Sequence, residues 1–145
     1  MAYKHPVSVL VVIYARDTKR VLMLQRQDDA QFWQSVTGSL EPNELPEQAA
    51  LREVQEETGF RYDPAVDRFT DCHTQISYEI FAHYRHRYAP GVTHNQEHWF
   101  CLGLASEQVP CLTEHTAAQW LTWQQAAALT KSWSNRQAIE QLFAE

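Results

Sequence analysis

Positive charge is scarce in this chain. Twelve Lys and Arg stand against eighteen Asp and Glu, a net charge of −6, so the basic footprint of a general DNA or RNA binder is missing. An anionic ligand would need positive charge supplied locally. Cysteine is scarce too: Cys72, Cys101 and Cys111 are odd in number and lack metal-site spacing, which argues against a zinc or disulfide framework and for reduced, buried thiols in a cytosolic protein. The eight residues from Val7 to Tyr14 form an apolar run well short of the roughly 20 residues a membrane-crossing helix needs. Met1 to Pro6 ahead of it shows no signal-peptide pattern. A cytoplasmic location, with neither membrane nor nucleic acid as partner, is the expectation.

What the chain does have is enough material for one core. At 145 residues it matches the usual size of one domain, about 150 residues, and residues 1–145 are read as a single domain. Hydrophobic residues make up 44% and include five Trp, which excludes global disorder.

Val7 to Tyr14 is β-branched and nearly unbroken, the pattern of a strand covered on both faces in the middle of a sheet. Arg16 to Lys19 reads as a polar turn and Arg20 to Arg26 as the returning strand of a hairpin. From Pro46 to Thr58 the period becomes helical, with Leu45, Ala49, Ala50 and Val54 marking an apolar side, Pro46 tolerated at the first position and Gly59 as the stop. Glu44 and Glu47 suit the positive end of that helix. Arg68 to Tyr88 reads as one or two strands, with Ile76 to Tyr84 alternating, and His98 to Leu104 as another. Tyr88 to Val92 is the expected loop between them. Trp120 to Trp123 is a short strand candidate, followed by helical turns at Gln124–Leu129 and about Asn135–Phe143. This order predicts an α/β (α+β) fold, a mixed β-sheet sandwiched between helices.

The chemically informative stretch runs from Gly38 to Phe60. Arg52, Glu53, Glu56 and Glu57 share one helix, where positions three and four apart lie on a common face, so the three carboxylates are expected to project as one cluster. Mutual repulsion would weaken the helix by a few tenths of a kcal/mol per pair, and a divalent cation removes that objection. All-oxygen ligation suits Mg²⁺ or Mn²⁺, which also bind substrate phosphates. Arg52 and Glu56, at i and i+4, are expected to form an ion pair. On these residues alone a solvated Glu-rich face with one salt bridge is the ordinary alternative.

The longer spacing, Gly38-x5-Glu44-x7-Arg52-Glu53-Val54-x-Glu56-Glu57-x-Gly59-Phe60, resembles the Nudix box. Every fixed position is matched, a coincidence on the order of 10⁻⁸ per starting point by chance. Phe60 stands where the family usually has an aliphatic residue. The resemblance implies the Nudix fold, with its loop-helix-loop, and Mg²⁺-dependent hydrolysis of a phosphoanhydride by water, Mn²⁺ being a substitute. By position it implies Glu53 and Glu57 as metal ligands, Glu56 as a further ligand or proton acceptor, Arg52 as their support, and one more carboxylate from a later loop, for which Glu114 is favoured over Glu107. A loop surface charge is the alternative for Glu114.

Outside the box, Phe32 to Ser39, Val7 to Tyr14, Tyr88 to Val92 and Leu129 to Glu140 resemble the branch of the family that releases pyrophosphate from dihydroneopterin triphosphate in folate synthesis. Nucleoside triphosphates such as dATP are the other small-molecule substrates weighed, and a monomer is expected. Lys4 and Arg26 are the candidate phosphate cations, with solvated surface charge as the alternative. Thr37 is a candidate for a ring edge or a phosphate, or else an ordinary strand-end hydroxyl. Tyr78, Glu79, Ile80 and Phe81 offer alternating aromatic surface for a pterin, or else core packing. Ser132 is a candidate substrate contact, or else a helix N-cap. The histidines receive no catalytic role.

Overall fold

The computed structural model describes residues 3–113 and 115–144. Its first strand, β1 (Val7–Ala15), is nearly all buried, because its two sides face different layers. Val9, Val11 and Ile13 join one apolar cluster with Ala49, Ala50 and Val54. Leu10 and Val12 join another with Ala126, Ala127, Ala138 and Ile139. That two-sided burial is why the run is continuous rather than alternating.

The remaining elements in chain order are β2 (Val21–Arg26), β3 (Trp33–Gln34), β4 (Val36–Ser39), α1 (Pro46–Thr58), β5 (Arg68–Glu79), a 3₁₀ turn at Ala82–Arg87, β6 (His94–Leu104), β7 (His115–Leu121), α2 (Trp123–Leu129) and α3 (Trp133–Phe143). Among the described residues the seven strands form one sheet in the order β3-β2-β1-β6-β5, with β4 also pairing β1 and β7 pairing β2. The sheet is mixed: β1 runs parallel to β6 over nine residue pairs and antiparallel to its other partners. Helix α1 covers one face, and α2 with α3 covers the other. No helix among the described residues is long and apolar enough to cross a membrane.

The hairpin read at Arg16–Lys19 forms, with Lys19 at φ 65° and the Ala15 amide bonded to the Arg20 carbonyl. Its strands then splay. Only Tyr14 and Val21 pair, and β4 takes the place beside β1 from Ser8 to Val11. Helix α1 has the expected bounds and ends at Gly59, φ 77°, whose N–H bonds the Gln55 carbonyl.

Three expectations change. Leu45 is not on the buried face but is the N-cap, 57% exposed. The segment Tyr78 to Phe81 is not all strand: β5 stops at Glu79 because its partner begins at His94, the register mate of Glu79, and Phe81 caps the 3₁₀ turn. The alternation through Tyr84 is therefore that of a turn held by the Arg85 Nε bond to the Ile80 carbonyl. Trp123 opens α2 rather than closing a strand, since the Thr122 hydroxyl accepts from the Gln125 amide and starts the helix there.

A carboxylate helix beside an aromatic cleft

Strand β4 and helix α1 meet at Gly38. A Cβ on Gly38 would overlap the Glu53 carboxylate, so the missing side chain is what lets that carboxylate lie against the strand. The same junction is tied by Arg52. Its guanidinium binds Glu44 in a fork, Nε to Oε2 at 2.7 Å and Nη2 to Oε1 at 2.9 Å, and Nη2 also donates to the Ser39 carbonyl at 3.0 Å. Nη1 reaches Glu53 at 2.8 Å and Glu56 at 3.1 Å, and Nε lies 3.0 Å from Glu41. The expected pair with Glu56 is thus one of four, and the principal partner is Glu44, which takes two hydrogen bonds and is, with Glu53, the most buried of the four. The hydrogen bonds from Arg52 hold the Glu44 carboxyl below its usual range, and Glu44 in turn raises the guanidinium further.

The three box carboxylates do not converge as one tight cluster in this arrangement. Among the described residues no group of three His, Cys, Asp or Glu side chains is poised to hold a metal ion: Arg52 draws Glu53 and Glu56 to itself, while Glu57, 2% exposed, turns inward to 3.8 Å from His115 Nε2. The donor chemistry nevertheless fits a hard divalent cation. Glu53 and Glu57 are all-oxygen donors one helical turn apart, one set in the Gly38 cradle and the other lining the adjoining cleft. The segment Cys111 to Thr113 is fastened to this helix end by the Cys111 amide on the Thr58 carbonyl and the Thr113 hydroxyl on the Glu56 carbonyl. Glu114, the fourth expected ligand, lies outside the described residues.

The cleft has a volume of about 570 Å³ and runs from Gly38 and Glu57 to the start of α3. All eight residues read as substrate contacts line it: Lys4, Arg26, Thr37, Tyr78, Glu79, Ile80, Phe81 and Ser132. Of the described residues in the metal and catalytic set, only Glu57 does so. Two hydroxyls have local duties. Thr37 Oγ1 donates to the Val9 carbonyl at 2.9 Å, and Ser132 caps α3 by accepting from the Asn135 amide at 3.2 Å. Phe81 is 46% exposed at the mouth, and Ile80 is buried at 4%.

Arg26 is set among groups that the sequence alone gave no site role. Its guanidinium is gripped by Asp28 at 2.7 and 2.8 Å and lies over the rings of Phe32 and Tyr84. Asp28 also holds Arg87 at 3.2 Å, and Arg87 stacks on Tyr84 at 4.9 Å. The Arg26 hydrogen bonds pull the Asp28 carboxyl down to about 2. Two cations are thereby fixed at one rim of the cleft.

The deep end of the cleft is polar. Glu97, 3% exposed, accepts from Trp99 Nε1 at 3.0 Å, and burial pushes its carboxyl up to about 6 despite hydrogen bonds from Trp99 and Ser134. Ser8, Tyr78, Ser134 and Asn135 line the same end. The signal for Glu97 is present in the sequence: Asn95 and Glu97 occupy the inward positions of β6 ahead of Trp99, where apolar residues are the rule. His115, which received no role, lines the cleft opposite Gln34 at 3.4 Å.

Comparison with known proteins places this geometry in context. The profile of the NUDIX domain matches residues 4–142. The chain is 62% identical over 141 residues to the dihydroneopterin triphosphate diphosphatase of Escherichia coli (strain K12), covering 96% of this chain and 93% of that one. It is 48% identical over 140 residues to the enzyme of the same name from Haemophilus influenzae, covering 97% and 89%. The solved structure of the E. coli dihydroneopterin triphosphate pyrophosphohydrolase superposes with a TM-score of 0.95 at 60% identity, covering 99% of both chains.

Proposed function

The chain belongs to the Nudix family, and on that premise we propose that it hydrolyses dihydroneopterin triphosphate to dihydroneopterin monophosphate and pyrophosphate, a step of folate synthesis. One observation carries this reading: a cleft that opens beside a carboxylate helix, holds two fixed guanidiniums at its rim, and is walled by Phe32, Tyr78, Ile80, Phe81 and Trp133. Phosphates need the carboxylate helix and the cations, and a flat fused ring needs the aromatic and apolar walls. The full-length likeness to relatives bearing that activity in their names supports it.

Hydrolases of this family work with a divalent metal on small phosphate substrates. Here we read Mg²⁺ as the metal, with Glu53 and Glu57 as its holders and Glu56 and Glu114 as further carboxylates. When bound, such an ion neutralises charge on the phosphoryl oxygens and acidifies a water. The chain's own residues do the rest. Arg52 fixes the direction of the Glu53 carboxylate by a 2.8 Å bond. Lys4, Arg26 and Arg87 bring positive charge to the triphosphate in a protein of net charge −6. Water adds to a phosphorus, the bridge between the first and second phosphates breaks, pyrophosphate leaves, and one of the helix carboxylates takes the water's proton. The whole chain acts as one domain.

The test is the specificity constant for dihydroneopterin triphosphate beside that for dATP. The pterin is expected to win by at least about tenfold, or about 1.4 kcal/mol. Equal constants would move the protein to hydrolysis of nucleoside triphosphates.

A further inference from the structure

We infer that Glu97 is the residue that selects the ring of the substrate, its carboxylate accepting from the adjacent ring N–H and exocyclic amino group of a 2-amino-4-oxo ring. This deepens the reading proposed above and rests on it.

The position of Glu97 carries the inference. It projects from β6 into the cleft, paired in register with Ser8 of β1 and Ile76 of β5. It is 3% exposed, and among the described residues the side chains acting on it are Trp99 and Ser134, with no Lys or Arg. A carboxylate taken out of water without a cation costs the fold free energy, and a glutamine or an apolar residue would fill the place at lower cost. The donors it does have, Trp99 Nε1 on Oε1 and Ser134, orient the group and leave acceptor capacity, since a carboxylate offers about four lone-pair sites. The burial that pushes its carboxyl up to about 6 still leaves it ionised at neutral pH.

The chemistry of the substrate places the complementary edge at that end. In a pterin the phosphate-bearing chain leaves from one side of the fused rings, and the amino group and ring N–H lie on the far side. With the triphosphate at Lys4, Arg26 and Glu57, the donor edge faces the deep wall where Glu97, Tyr78 and Ser134 line the cleft. Two neighbouring donors match a carboxylate, which only accepts. A guanine edge offers the same pair, whereas adenine sets its amino group beside a bare ring nitrogen and leaves one carboxylate contact repulsive. A site built this way rejects the wrong edge because its own buried polar group goes unpaired.

Glu97→Gln tests this on the full chain with Mg²⁺. A glutamine amide donates and accepts side by side, so it suits adenine. The ratio of specificity constants for dGTP over dATP is expected to fall by roughly 10- to 100-fold, and that for dihydroneopterin triphosphate over dATP to fall alongside it, mainly through KM. A purely structural Glu97 would move all three substrates together and leave both ratios unchanged, which overturns the inference. If the variant does not fold, the wild-type chain decides. Followed by quenching of tryptophan fluorescence, pterin, with its 2-amino-4-oxo edge, is expected to bind at least about tenfold tighter than lumazine, its 2,4-dioxo counterpart. Equal binding overturns the inference. The two proposals fail separately. No turnover of dihydroneopterin triphosphate with an edge preference that follows Glu97 removes the proposed reaction alone, and pterin turnover with unmoved ratios removes the role of Glu97 alone.

Discussion

Gly38 and Glu53 share one volume: the place where a side chain on Gly38 would begin is filled by the Glu53 carboxylate. Strand β4 and helix α1 are thereby locked at the spacing the box carboxylates need. Gly38→Ala is expected to keep the fold, because the displaced group is the end of a flexible side chain, but to push that end out of position. Turnover should fall by roughly 100-fold, the order of loss from a misplacement of about 1 Å, with circular dichroism and thermal unfolding close to those of the parent. Near-parental turnover would mean that Glu53 works from somewhere else.

Arg52 is the knot of the same junction, and its fork on Glu44 has a geometry that a lysine cannot reproduce. Arg52→Lys is expected to lower stability by about 1–3 kcal/mol in urea unfolding and turnover by more than tenfold. Glu44 supplies a further signature. Its carboxyl sits below the usual range because of Arg52, so the stability it contributes is present at neutral pH and lost as the pH falls through its titration. The variant should lose less stability on acidification than the parent.

Glu97 gives the opposite pH slope. Burial pushes its carboxyl from an ordinary 4.5 up to about 6. Between those values the unfolded chain has released the proton while the folded chain still holds it, so stability declines as pH rises through that window, by about 2 kcal/mol in all. The tyrosines beside it do not titrate there: Tyr78 and Tyr88 are both raised above their already high values. Urea midpoints of the parent and Glu97→Gln, compared between pH 4.5 and 6.5, should converge at the acid end and separate in favour of the variant at the other. Parallel profiles would contradict this.

Neutralising a metal-holding carboxylate should remove turnover without removing the fold. Glu53→Gln and Glu57→Gln are each expected to lose at least about 100-fold in turnover and to need more Mg²⁺ for half-maximal rate. Chelation should abolish parental activity, with Mg²⁺ or Mn²⁺ restoring it. Near-parental rates in both variants would displace the site.

Much of this was legible in the residues. Helix α1 could be bounded because Pro46 and Gly59 punctuate it, and β1 because a run buried on both faces leaves no polar period. Strand β4 was not marked out as an element, since four residues that include Gly38 and Ser39 carry little intrinsic strand preference and are held by pairing with β1. The rim cations Lys4 and Arg26 could be anticipated from where they stand on the chain. Arg87 and Asp28 could not, because their 3.2 Å contact joins residues 59 positions apart. Glu97 escaped because its strand was read as starting at His98, one residue past it, and His115 because a polar residue at a strand end acquires meaning only when the cleft it faces has been assembled.

The most direct measurement is phosphorus NMR of the products when the full chain turns over dihydroneopterin triphosphate with Mg²⁺. Pyrophosphate and dihydroneopterin monophosphate in equal amounts are expected, with no orthophosphate on the time scale of turnover. Orthophosphate as the first product, or no turnover at all under conditions where dATP is hydrolysed, would contradict the proposed reaction.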